Sequence, residues 1–179
     1  MNFGNKTLAG SVLFVGSVLY VLGTVVGEKF GKETLIYNAP VLALGLLMIV
    51  STYYLQKAFK STLFSILIAM AGVSTLGIGL VGYTMFDSTI YYAFAAIGYV
   101  FFGLSAIMSY KFEKAPLSYF SVALGVIAFV ALLLWPTGIE LVAGIKATPI
   151  IVDFAVLLWL IGFSAHIIGD SNNLPANSN

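Results

Sequence analysis

Residues 61–86 read Ser61-TLFSILIAMAGVSTLGIGLVGYTM-Phe86, and no charged side chain falls between Lys60 and Asp87. A helix rises about 1.5 Å per residue, and a bilayer's hydrocarbon core is about 30 Å thick, so this run crosses a membrane with residues to spare. Five further stretches meet the same criterion: Leu8–Gly27, Asn38–Gln56, Ile90–Tyr110, Leu117–Trp135 and Pro149–Gly169. The expectation is therefore an all-α, polytopic bundle of about six transmembrane helices.

Composition agrees. Of 179 residues, 60% are hydrophobic and 8% charged, and the mean hydropathy is +1.04. A soluble domain carries about 25% charged residues; this chain has too little polar surface to cover an apolar core, so the bilayer must be its solvent. A net charge of +1 argues against nucleic acid, which calls for a dense basic face. All eight basic residues are Lys, so no guanidinium fork grips phosphate or carboxylate at two points. The absence of Cys excludes disulfides, thiolate metal sites, iron–sulfur clusters and thiol catalysis.

Residues 1–169 read as one transmembrane domain, and the polar segment 170–179, with Pro175, as a disordered tail. The first apolar run is longer than the apolar region of a signal peptide and reads as a retained helix. Asn38 is the expected N-cap of the second helix with Pro40 in its first turn, and Thr148 caps the sixth ahead of Pro149. Pro136 stops the fifth helix. The half-apolar stretch Pro136–Thr148 reads either as an interfacial turn of helix or as an extension of helix 5; no strands are evident. Lys6, Lys57, Lys60, Lys111 and Lys114 fall on one side of the membrane and Lys29, Lys32 and Lys146 on the other, which places both termini in the cytoplasm.

Tyr53, Tyr54, Tyr110 and Tyr119 mark the inner interface, and Tyr37, Tyr83, Tyr91 and Tyr92 the outer one, near Trp135. Small residues mark helix contacts: Gly72, Thr75, Gly79 and Gly82 in helix 3; Ser118, Ser121, Gly125 and Ala128 in helix 5; Gly23 and Gly27 in helix 1. An offset of 80 residues superposes Ala43-Leu44-Gly45 on Ala123-Leu124-Gly125 and Leu80–Thr84 on Leu160–Ser164. That pattern fits a 3+3 inverted repeat, a common plan in transporters, although apolar chains also match themselves by chance.

Ionisable residues inside a membrane are costly, so each is a functional candidate. Asp153 reads as an interfacial carboxylate held by the helix N-terminus and Lys146 in preference to a ligand or proton site. His166, the sole His, is too far along the helix from Asp153 to pair with it. Neither a zinc hydrolase nor a Ser-His-Asp set can be assembled, and no cofactor is expected. Glu28, Glu33, Asp87, Glu140 and Asp153 collect on the outer side with Tyr37, Asn38, Tyr83, Tyr91 and Tyr92. They form a candidate acidic, aromatic vestibule for a cation or polar lipid head, with Asp87, Asp153, Glu140, Tyr37, Asn38, Tyr91 and Tyr92 as its binding residues.

Ile36-Tyr37-Asn38, the glycine-rich Gly77–Tyr83 and the run Leu157-Leu158-Trp159-Leu160-Ile161-Gly162-Phe163 resemble elements of a six-helix prokaryotic and archaeal membrane family catalogued as domain of unknown function 998. The resemblance spans nearly the whole chain. It implies a six-helix bundle and no established activity. Members often carry a His near the start of helix 4, where this chain has Tyr91-Tyr92.

Few buried polar groups, no cofactor ligands and small-residue packing faces favour a non-catalytic subunit or assembly component of a membrane complex. Its partners would be membrane lipids and other membrane subunits. The alternative is a small carrier or a lipid- or cation-binding protein using the outer vestibule. A lipid-modifying enzyme has the least support. Location in the cell membrane follows from the spans.

Overall fold

The structure is a computed structural model that describes residues 3–27, 29–31, 34–85, 88–135, 140–142 and 145–172. Among these are six helices: α1 (Phe3–Gly27), α2 (Leu35–Phe59), α3 (Thr62–Met85), α4 (Thr89–Ser109), α5 (Leu117–Leu134) and α6 (Ala147–Asn172). Six helices among the described residues are long and apolar enough to cross a membrane.

Between α5 and α6 the chain departs from expectation. Glu140–Val142 (β1) pairs antiparallel with Ile145–Lys146 (β2), Glu140 opposite Lys146. The segment is therefore a short β-ribbon instead of a helical extension. A ribbon pairs backbone groups across the two arms, which a chain leaving an apolar helix must do to satisfy them.

Capping sets the helix ends. Thr34, in extended geometry, accepts a hydrogen bond from the Tyr37 amide and starts α2. Asn38, expected as the cap, instead sits a turn inside. Its Nδ2 donates to Thr34 O at 2.9 Å. Pro40 consequently lies beyond the first turn, where its missing N–H leaves one carbonyl without its helical partner. The ring has a use there: a Cβ on Gly23 would run into it, so α1 and α2 meet as ring against glycine. Ser88 caps α4 by accepting from the Tyr91 amide at 3.1 Å. At the other end of the chain, α6 starts at Ala147, ahead of the expected Thr148 cap, and runs through Asn172. Asp170 is therefore helical and not the start of a tail; residues 173–179 lie outside the described part.

The helices form a closed ring. Each packs on its neighbours in sequence, and α6 returns to pack on α1. The shared Ala-Leu-Gly tripeptides serve different interfaces: a Cβ on Gly45 would lie 2.8 Å from Gly72 O of α3, whereas one on Gly125 would lie 2.7 Å from Gly103 O of α4. At both places backbones approach more closely than any side chain permits, which is how helices gain contact where lipid supplies no hydrophobic drive.

The interior is unlike that of a soluble protein. Leu22, Val25, Leu133 and Phe154 stand exposed on the outside, while Ser17, Ser51, Ser105, Ser109 and Ser164 are fully buried. Each of these serines donates to a carbonyl three or four residues earlier in its own helix, so none leaves its hydroxyl proton unused in a dry interior. Aromatic rings fill the end of the bundle that carries the termini, where Phe59, Phe64, Phe112, Phe163 and Trp159 are in mutual contact.

Candidate functional site

The opposite half of the ring holds a polar cavity of about 80 Å³. Five helices line it. α1 contributes Tyr20, α2 Tyr37 and Asn38, α3 Thr75, α4 Tyr91 and Tyr99, and α6 Asp153. Apolar side chains, among them Val41, Leu44, Ala95 and Phe102, make up the rest of the wall. At about 30 Å³ per water, the space matches two or three waters or one compact ligand.

Asp153 is the cavity's carboxylate. It stands six positions after Ala147, which places it about 9 Å along α6. Its Oδ1 accepts a hydrogen bond of 3.0 Å from the Tyr99 hydroxyl. Tyr99 stands midway along α4, and Thr75 close to the middle of α3. Asp153 thus faces inward, towards groups near the middle of α3 and α4. Its neighbours are placed by local rules. Asn38 is 1% exposed, anchored to Thr34 O, and a Cβ on Gly82 would come 2.5 Å from its Oδ1. Only glycine at position 82 leaves that oxygen its place.

Of the residues expected to form a vestibule, Asp153, Tyr37, Asn38 and Tyr91 come together here. Tyr92 does not; it is 41% exposed and packs edge-on against Tyr91 and Trp135. Asp87 lies outside the described residues. Glu140 is in β1, with only its backbone described. Tyr20, Tyr99 and Thr75 enter the site unannounced. A signal existed for two of them: the interface belts account for eight of the ten tyrosines, and Tyr20 and Tyr99 are the two left over.

The chemistry of the lining is one-sided. Phenolic, amide and hydroxyl oxygens, several ring systems and one carboxylate face the space, and among the described residues no lysine or histidine does. Oxygen dipoles, ring faces and a single negative charge favour a monovalent cation. Among the described residues no three His, Asp or Glu side chains converge as a metal site.

A second buried polar cluster lies at the far end. Glu113, between α4 and α5, is 9% exposed. Ser121 Oγ donates to its Oε1 at 2.8 Å. Its Oε2 is the one buried side-chain oxygen among the described residues with no hydrogen-bond partner in the chain. Burial pushes the carboxyl above the ordinary glutamate range, against the opposing pull of Ser121 and Ser109. Ser109 in turn accepts from Trp159 Nε1 at 3.1 Å.

The fold and site define a membrane-type six-helix bundle enclosing a polar cavity. No family model, curated protein or solved structure matches the chain, so the resemblance described above rests on the motifs quoted for it.

Proposed function

We propose that this chain is an integral membrane protein that binds a compact monovalent cation, of ammonium type, in the cavity around Asp153. It acts as a small carrier or binding protein and not as a catalyst. The observation that carries this reading is the Tyr99–Asp153 pair, set in a cavity that five helices furnish with oxygens and aromatic rings. A cation entering the space meets the Asp153 carboxylate and the oxygens around it, and no lysine or histidine among the described residues lines the cavity. Tyrosine faces add attraction for an ammonium group once it sheds water. In this reading both termini face the cytoplasm, with Lys6, Lys57, Lys60, Lys111 and Lys114 at that end, and the cavity lies towards the outer side. The ring's neighbour order also suits two three-helix halves around a central site, an arrangement found in carriers.

A non-catalytic subunit of a larger complex is the competing reading, and no single feature of the fold favours it in the way the cavity favours a ligand. The test is a titration of the purified full chain in neutral detergent with methylammonium, tetramethylammonium, potassium and sodium, read by calorimetry and thermal shift. The expected result is saturable binding of an ammonium ion that Asp153→Asn removes. Wild type and Asp153→Asn responding alike to all four ions would sink the proposal.

A further inference from the structure

The end of the bundle bearing the termini carries an open basin of about 960 Å³. Lys6, Lys57, Lys60 and Lys111 line it, against one acid, Asp170, and between the rings of Phe59 and Phe112. We propose that this basin is a binding site for a phosphate-bearing anion, with the headgroup of an anionic phospholipid as its occupant. The site is independent of the cation cavity, which lies in the other half of the molecule.

Three observations carry the inference. The first is charge: Lys57, Lys60 and Lys111 bring three lysines to the basin from the end of α2 and the α4–α5 connection, with the Lys57 ammonium against the Tyr53 hydroxyl, while Lys6 and the single acid are engaged with each other. Asp170 Oδ2 lies 3.0 Å from Lys6 Nζ and Oδ1 lies 2.9 Å from Lys114 Nζ, so its carboxylate is shared between two lysines and cannot neutralise Lys57, Lys60 and Lys111. The second is shape. Phe59 and Phe112 pack tilted at 37° with ring centroids 4.6 Å apart, and they give a charged basin an apolar wall. A lipid that is anionic at one end and apolar at the other matches that pairing.

The third is backbone geometry. Lys60 ends α2 with φ 53° and ψ 31°, in the left-handed region. Glycine is the usual residue at such a helix end, because a Cβ there is strained. Lysines that serve only to orient a helix can sit anywhere near its cytoplasmic end. A lysine kept in a conformation that favours glycine, at the rim of a basin holding three others, points to a use for its side chain.

That geometry also supplies a discriminating variant. Lys60→Gly removes one ammonium group and relieves the strain, so it weakens binding without weakening the fold. The experiment uses the purified full chain in neutral detergent. Short-chain phosphatidylglycerol, the phosphatidylcholine of equal chain length, and inorganic phosphate are titrated separately, with bound molecules counted by native mass spectrometry and stability followed by thermal shift. One molecule of phosphatidylglycerol is expected to bind at least tenfold more tightly than phosphatidylcholine. Lys60→Gly should lose about fivefold in that affinity, the worth of one lysine near a membrane surface, with a melting temperature at or above wild type. Lys57→Ser/Lys111→Ser should lose more than tenfold. Binding of inorganic phosphate in competition with phosphatidylglycerol would support the same phosphate chemistry and assign it to a soluble source. Equal binding of the two lipids, or full retention of phosphatidylglycerol by both variants, would overturn the proposal.

Discussion

The Tyr99 hydroxyl donates to Asp153 Oδ1 at 3.0 Å across 54 positions of sequence, tying the centre of α4 to the N-terminal part of α6. Hydrogen bonds to a charged group contribute about 1.5–3 kcal/mol, more than neutral ones. Tyr99→Phe keeps the ring and deletes that bond, so the carboxylate loses its aim while keeping its charge. Cation affinity is expected to fall about tenfold and the fold to persist, whereas Asp153→Asn should abolish binding. Calorimetry on the two variants side by side separates the positioning group from the charge.

Gly45 and Gly72 bring α2 and α3 together backbone to backbone, each with its hypothetical Cβ within 3.0 Å of the other's carbonyl oxygen. Gly45→Ala or Gly72→Ala should destabilise the bundle by about 1–3 kcal/mol, the usual cost of overpacking. Gly169 has nothing within 4 Å of a Cβ, so Gly169→Ala should be silent. Thermal denaturation in detergent reads both, and equal melting temperatures for all three variants would contradict the packing argument.

The ion pair at the other end makes a prediction of mixed sign. The Lys6 side chain is 5% exposed and that of Asp170 24%. Asp170→Asn leaves Lys6 buried without a countercharge, and stability should drop by about 1–3 kcal/mol, less than for a fully enclosed pair because Asp170 still meets solvent. The same change removes the basin's acid, so phosphatidylglycerol should bind more tightly. Lys114 is 79% exposed, and Lys114→Ala should hardly move the melting temperature.

Glu113 gives the fold a pH dependence. Its carboxyl is shifted upward, so the folded chain holds the proton more tightly than the unfolded chain. That contribution to stability is fully present below the ordinary glutamate value of 4.5 and is lost as pH rises through the raised value. Glu113→Gln keeps an acceptor for Ser121 and removes the ionisation. The variant should therefore match or exceed wild type in alkaline buffer, with the advantage fading as the pH is lowered. A melting-temperature series against pH that is parallel for the two proteins would refute this.

How far the sequence could be read depends on which physical quantity each feature rests on. The six spans rest on length and apolarity, both of which are local, and their centres lie where the apolar runs place them. Their ends rest on caps. Thr34 takes the role expected of Asn38 because its hydroxyl is one turn earlier in the chain, a choice that composition does not encode. The ribbon at Glu140–Lys146 hides in thirteen residues too mixed for either helical or alternating periodicity. Asp153, Tyr37, Asn38 and Tyr91 were legible as site residues because polar groups near a membrane interior are costly wherever the helices turn. Thr75 was not, since its role depends on which helices face one another, and Tyr20 and Tyr99 were marked only as the two tyrosines that the interface belts leave over. Glu113 and Asp170 were hidden for a related reason: both look like ordinary loop or tail acids until α4, α5 and α6 enclose the one and Lys6 reaches the other.

The return of α6 to pack on α1 has a consequence for how the molecule is made. α1 is made well before α6, and its Gly10 face waits for that helix to bring Ile167 and Ile168. The carboxylate of the cavity arrives on α6 as well. The cavity is therefore complete only once α6 has been made, and a nascent chain halted after α5 has the cavity's tyrosines without Asp153.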